Sequence, residues 1–216
     1  MALAYLYMPD VGVPVREVAT DNFQRLVSGL KQKPANCLDV GGTNDVYLES
    51  RTLRLGRRRK LLQYLANALG EEIGPGKREI ITARNPLLGM FDKVTFLDMG
   101  FNNEEIGTET DIKANFLDAQ SIQPLLGKYD IVTCFDTLEH VSEPQTFCKN
   151  LLLATRNGGY VFLSTVFSYP YHPSPMDYFR FTPEGLSACF QDAAATVIET
   201  GWESDNAGVY LLARKH

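Results

Sequence analysis

"PANCLDVGGTND", residues 34–45, decides the fold. Its apolar run, "NCLDV" (36–40), is too short for a helix and reads as a buried strand. Asp39 closes the run and two glycines, Gly41 and Gly42, break it. Such a break is either a tight turn after a strand or a loop whose bared main chain cradles a polar ligand.

Working outward, "KVTFLD" (93–98), "YDIVTCFD" (129–136) and "GGYVFLST" (158–165) read as further strands, with a weaker one around Asp111 to Leu117 ahead of "DAQSI". Helical patterns alternate with them. Residues 15–32 place Val18, Phe23, Leu26, Val27 and Leu30 on one helical face, and "HVSEPQTFCKNLLLAT" (140–155) is a second helix. Asn157-Gly158-Gly159 is expected to end that helix by supplying positive-φ residues. The alternation predicts an α/β domain with a largely parallel sheet. Near the C-terminus, Thr182-Pro183-Glu184 is a cap followed by a proline at the first helical position. "ATVIETGWE" (195–203) and "GVYLLARK" (208–215) then predict an antiparallel hairpin closing one sheet edge.

The stretch from Val46 to Lys93 breaks the rhythm. "GRRRKLLQYLANALGEE" holds Leu61, Leu65, Ala68 and Leu69 on one face of an amphipathic helix. Arg57-Arg58-Arg59-Lys60 is either a solvated helix face or a docking patch for an anionic substrate. The expected organisation is one domain over residues 1–216 with an insertion at about 46–93.

Bulk properties narrow the function. The 216 residues are 44% hydrophobic and 22% charged, as in an ordinary globular domain. A net charge of -5 gives no footprint for phosphate backbones, so a nucleic-acid partner is disfavoured. Cys37, Cys134, Cys148 and Cys189 are scattered, without metal-ligand or redox spacing, and are expected to be reduced thiols. Neither a secretion signal nor a run of about 18 apolar residues is present, which predicts a cytoplasmic protein without a membrane partner.

Acids recur at strand ends: Asp39, Asp98, Asp118 and Asp136. In open α/β sheets ligands bind at the carboxyl ends of the strands, so four such acids point to one polar ligand across the tips. Gly41 and Gly42 would let main chain approach it and would present N–H groups at the start of a following helix. The repeating glycines of dinucleotide sites are missing, so a ligand without phosphates fits better.

In order and spacing, "LDVGGTND", "FLDMG", "FLDAQSI" and "YDIVTCFDTLEHVSEP" together resemble the motifs of class I S-adenosylmethionine-dependent methyltransferases, in particular the small-molecule branch in which "D-x-L-E-H-V" follows the fourth strand. The likeness covers roughly residues 34–45 and 93–216. It implies a Rossmann-like, doubly wound, mostly parallel seven-stranded sheet with an antiparallel C-terminal hairpin, and S-adenosyl-L-methionine as cofactor. It also implies roles: Asp39, Gly41, Gly42 and Thr43 at the methionine end, Asp98 with Met99 at the ribose, Leu117, Asp118 and Ala119 at the adenine, and Asp136, Thr137 and Leu138 beside the sulfonium. Two departures stand out. Thr43 and Asp45 replace the family's glycines, and the step from Gly42 to Asp98 is unusually long. "REIITAR" (78–84) competes as the second strand but ends in no acid, which favours Asp98.

"SYPYHPSPMDYFRFTPEGL" (168–186) leaves another strand end with Pro173 and Pro175 stiffening it. Tyr171, His172, Asp177, Tyr178 and Arg180 are its candidate substrate-binding residues, and similar strings occur in methyltransferases of sugar, glycan and natural-product pathways. The implied partner is a small hydroxylated or amine acceptor; a homo-oligomer is allowed. Methyl transfer is an in-line displacement in which positioning dominates and a base takes the acceptor's proton. His172 and His140 are the candidate bases, with Asp136 beside the reacting centre. Each histidine is alternatively a loop or turn hydrogen bonder, and Arg180 is alternatively a scaffold paired with Asp177 or Glu184. No metal-ligand set is assembled from the spacing. Competing readings are an inactive binding or regulatory module of the same fold and a nicotinamide-dependent oxidoreductase.

Overall fold

The computed structural model describes residues 17–42, 45–49, 80–84, 86–99, 110–173, 176–191, 195–203 and 207–216. Helix α1 (Glu17–Ser28) precedes strand β1 (Asn36–Val40). Strands β2 (Asp45–Glu49) and β3 (Ile80–Arg84) pair antiparallel as a separate two-stranded sheet. Then come β4 (Lys93–Asp98), the two-residue β5 (Ile112–Lys113), a short helix α2 (Ala119–Ile122), β6 (Tyr129–Phe135), α3 (Pro144–Ala154), β7 (Thr155–Val166), α4 (Pro183–Ala188), β8 (Ala195–Trp202) and β9 (Gly208–Lys215). The main sheet has seven strands in the order β5-β4-β1-β6-β7-β9-β8. Neighbours from β5 to β7 run parallel, and β9 is antiparallel to both β7 and β8. The expected α/β architecture and C-terminal hairpin are both present.

Strand periodicity explains why both faces are covered. Successive side chains point to opposite faces, so Leu38, Leu97 and Val132 join one apolar layer with Leu151 and Leu186, while their neighbours Cys37, Phe96 and Ile131 join the other. Phe23 of α1 seals the second layer, its ring 5.0 Å from Phe162 and 5.5 Å from Phe135. At the amino ends of β1 and β6, the Asp130 carboxylate accepts the N–H groups of Ala35 and Asn36, each at 2.9 Å.

Three local expectations change, and the choice between two candidate strands falls as favoured. The chain after Gly41-Gly42 enters strand β2, where a helix start was expected. "REIITAR" contributes β3, which pairs with β2 and has no place in the main sheet; β4, ending in Asp98, is the strand beside β1. Helix α3 stops at Ala154, before Asn157-Gly158-Gly159, and the glycines lie inside β7. There the register against β6 slips between Tyr129 and Ile131, Gly158 has φ +74°, and a Cβ on Gly159 would sit 2.7 Å from the Asp130 carbonyl oxygen. Side chains are excluded by that close approach, so the pair builds a bulge. The weak strand at 111–117 shrinks to β5, because the chain turns at Asn115, whose carbonyl accepts from the Asp118 N–H at 3.1 Å and whose side chain accepts from the Leu117 N–H at 3.0 Å; Asp118 then caps α2 by accepting from the N–H groups of Gln120 and Ser121. The amphipathic helix and basic run proposed for 56–72 lie outside the described residues. No described helix is long and apolar enough to cross a membrane.

Candidate active site

Register brings three of the four strand-end acids to one edge. Asp39 lies opposite Phe96 on one side and Thr133 on the other, and Val40 opposite Leu97, so Asp98 and Asp136 extend just past the same end of adjacent strands. The Asp39 carboxylate is buried, 3% exposed, and accepts a 2.6 Å hydrogen bond from the Thr133 hydroxyl. Burial raises its pKa to about 7, a rise the Thr133 bond partly opposes. A buried carboxyl poised in this way gains most from a neighbouring cation.

Gly41 has φ +85°, and a Cβ there would overlap the Thr137 side chain; one on Gly42 would overlap the Asp39 carboxylate. Both glycines are therefore required by close approach, and the Gly41 N–H is fixed to the Leu97 carbonyl at 2.7 Å. Thr137 is itself held by its hydroxyl donating to the Phe135 carbonyl at 2.9 Å. Before it, Asp136 takes φ +43°, a conformation rare outside glycine, and its N–H donates to the Ser164 carbonyl at 3.0 Å. Leu138 is fully buried. Asp98 is half-buried beside the exposed Met99. Leu117 packs against the core and Asp118 is exposed, its pKa lowered first by the Ser121 hydroxyl; Ala119 opens α2. Thr43 and Pro175 lie outside the described residues.

A second constellation forms where the loop after β7 folds back onto the turn after β6. The Glu139 carbonyl accepts from the N–H groups of Tyr178 (2.7 Å) and Phe179 (3.3 Å), and its fully buried carboxylate accepts from the Thr165 hydroxyl at 2.8 Å. The His140 and His172 rings meet edge to face at 4.8 Å. His140 Nδ1 contacts the Met176 carbonyl, while His172 Nδ1 lies 2.9 Å from the Pro170 carbonyl and 3.2 Å from Asp177 Oδ2. Both partners are acceptors, so each Nδ1 carries the hydrogen and each Nε2 the lone pair. Burial holds the His140 pKa below its usual value, with His172 adding to that effect.

Arg180 clamps this loop from within. Its guanidinium forks onto the Asp177 carboxylate, 2.7 Å at Oδ2, and reaches the carbonyls of Tyr169, Pro170 and Phe179. Burial is the largest single influence on Asp177 and pushes it up, but the hydrogen bonds from Arg180 and the His172 main chain, with the charges of both residues, together outweigh it and the pKa falls to about 2. Asp177 also accepts the His172 main-chain N–H at 2.9 Å. Tyr171 (75% exposed) and Tyr178 (46%) remain open to an incoming molecule. The sequence did not single out Glu139 as a site residue; the visible signal is an acid between Leu138 and His140 just past a buried strand.

A family model described as a methyltransferase domain matches residues 14–196. The chain belongs to that family. Its sheet is the one built by class I S-adenosylmethionine-dependent methyltransferases. Among curated proteins, it is 35% identical over 80 residues to the ubiquinone biosynthesis O-methyltransferase of Escherichia fergusonii, covering 34% of this chain and 33% of that protein. The Escherichia coli O127:H6 enzyme of the same name is 34% identical over an equal span. The matched segment thus spans about a third of those relatives. Among solved structures, the 1,6-didemethyltoxoflavin-N1-methyltransferase of Burkholderia thailandensis, holding 1,6-didemethyltoxoflavin and S-adenosylhomocysteine, aligns with TM-score 0.51 at 14% identity over 92% of this chain and 77% of its own. A putative methyltransferase from Bacillus halodurans C-125 aligns with TM-score 0.53 at 11% identity, over 92% and 98%. At these identities the likeness concerns the fold alone.

Proposed function

We propose that this methyltransferase-family protein binds S-adenosyl-L-methionine across the tips of β1, β4 and β6 and methylates an oxygen of a small hydroxylated acceptor held under the loop after β7. The observation that carries the reading is the contact between the two constellations: Thr137 packs on Gly41 of the strand-tip loop, and two residues on, Glu139 anchors the acceptor-side loop. The fit to the cofactor rests on the close-approach glycines and on Asp39, whose buried carboxyl suits a cationic amino acid end. In this reading Asp98 accepts the ribose hydroxyls, and Phe116 with Leu117 covers the adenine. The cofactor supplies an electrophilic methyl group to a nucleophile in line with its sulfur.

On the protein side, Asp136 and Thr137 border the reacting centre and Leu138 keeps it dry. Tyr171 and Tyr178 flank the acceptor, while Asp177 and Arg180 set the loop's shape. The Nε2 lone pairs of His140 and His172 face the Glu139 carboxylate and form the polar group that receives the acceptor's hydroxyl and manages its proton. Oxygen as the methylated atom is supported by the name of the Escherichia relatives.

Calorimetry with S-adenosylmethionine and S-adenosylhomocysteine tests the cofactor half: both should bind, and binding of neither would leave only a module of this fold. Asp98→Ala should weaken cofactor binding by roughly 1–3 kcal/mol. Unchanged affinity would remove Asp98 from the ribose site. Release of S-adenosylhomocysteine with a panel of hydroxylated and amine acceptors tests the oxygen preference.

A further inference from the structure

We propose that Glu139, His140 and His172 form a site for one divalent first-row transition ion of the zinc class, at the junction of the cofactor loop and the acceptor loop. Spacing along the chain assembles no ligand set; folding the loop after β7 onto the turn after β6 does. Glu139 Oε1 lies 3.8 Å from His172 Nε2 and 3.9 Å from His140 Nε2, and all three donor atoms fall within 4.8 Å of one another. Ligand bonds of about 2.0–2.2 Å put neighbouring donors roughly 3–3.5 Å apart, so the Glu–His edges need to close by only about half an ångström.

Three independent features favour a cation over an ordinary hydrogen-bonded cluster. Both Nδ1 atoms are tied to carbonyls, the arrangement that turns the Nε2 lone pair of a metal-binding histidine toward its ion. Those two lone pairs and a carboxylate oxygen converge, which places acceptors against acceptors. Finally, His172 Nε2 is buried and makes no hydrogen bond. The outer shell is also built: Thr165 fixes the other Glu139 oxygen at 2.8 Å, and Asp177 holds the His172 main chain at 2.9 Å. Two imidazoles and one carboxylate suit zinc-class ions and leave coordination positions open. This inference rests on and deepens the reading above: at an open position the ion would bind the acceptor's hydroxyl oxygen and ease loss of its proton to solvent.

The test is chelator-stripped full chain titrated with Co2+ in an absorption spectrometer and with Zn2+ in a competition assay. One equivalent should bind, with visible ligand-field bands of a nitrogen and oxygen site and no thiolate charge-transfer band. Glu139→Gln and His172→Ala should each weaken the ion at least about 100-fold, while Cys189→Ser leaves its affinity unchanged. Calorimetry with S-adenosylhomocysteine on the same variants checks that the strand-tip half is intact. Absence of stoichiometric cobalt binding, a thiolate band, or undiminished affinity in both ligand variants overturns the site. Cobalt binding without S-adenosylhomocysteine binding would instead sink the cofactor reading and leave the ion site standing.

Discussion

The strand tips and the loop after β7 face the same junction but are held by opposite means. At the tips, conformation is fixed by the sheet: Asp39 is locked by Thr133 across a strand pair, and Gly41 by the Leu97 carbonyl. In the loop, the Arg180 guanidinium holds main-chain carbonyls, and its partner, the Asp177 carboxylate, holds a main-chain N–H, in a shape that no sheet imposes. A site resting on strands tolerates little change in volume, whereas one stapled by an ion pair depends on charge. Substitutions should therefore hurt the first through sterics and desolvation and the second through titration.

The largest expected effect is electrostatic at the tips. Asp39 holds its proton up to about pH 7 in the folded chain but gives it up near the ordinary 3.8 when unfolded. Stability of the ligand-free protein should therefore fall as pH rises from about 4 to about 7, by on the order of 4 kcal/mol. Asp39→Asn should flatten that slope, read from denaturant midpoints at pH 5 and pH 8; equal slopes in both proteins would refute the buried-carboxyl account.

Next in size, Gly42→Ala should cost roughly 2–4 kcal/mol in the same unfolding assay and abolish measurable S-adenosylhomocysteine binding, because the new methyl displaces the Asp39 carboxylate. A well-folded, binding-competent alanine variant would mean the loop is slack. Third, Arg180→Met should cost about 1–3 kcal/mol and raise hydrogen exchange across 169–181 while leaving S-adenosylhomocysteine affinity within about twofold. The wild-type loop should likewise loosen as pH falls from about 4 toward 2, where Asp177 takes up its proton. Coupled loss of cofactor binding would erase the contrast between the halves. Smallest is the control Arg25→Ala, which removes an exposed 2.5 Å pair with Glu199 and should change stability by less than about 1 kcal/mol.

How much could be read from the sequence follows the same divide. Strands β1, β4, β6 and the β8–β9 hairpin were legible because each is an uninterrupted or alternating apolar run whose burial needs no distant partner to be inferred. Thr182 capping α4 was legible because a cap is local chemistry. Strand β2 was not, since its pairing partner lies at 80–84 and a glycine loop ordinarily opens a helix. Gly158-Gly159 was misread for a related reason: a positive φ serves a helix end and a bulge equally, and only the strand opposite tells them apart. The four acids at strand ends were visible; that Asp118 also caps α2 was not, because a four-residue helix is too short to leave a periodic signal. Glu139 stayed hidden because what buries it, Thr165 and the returning main chain of 178–179, is 26 to 40 residues away.

That return has a consequence for how this chain could diversify. Residue 139 tethers the loop through its carbonyl oxygen, an atom common to every amino acid, while its side chain points into the reactive junction. A lineage could thus trade the carboxylate for an amide, a hydroxyl or a methyl group, changing the chemistry on offer without cutting the mooring of the segment that greets the incoming molecule.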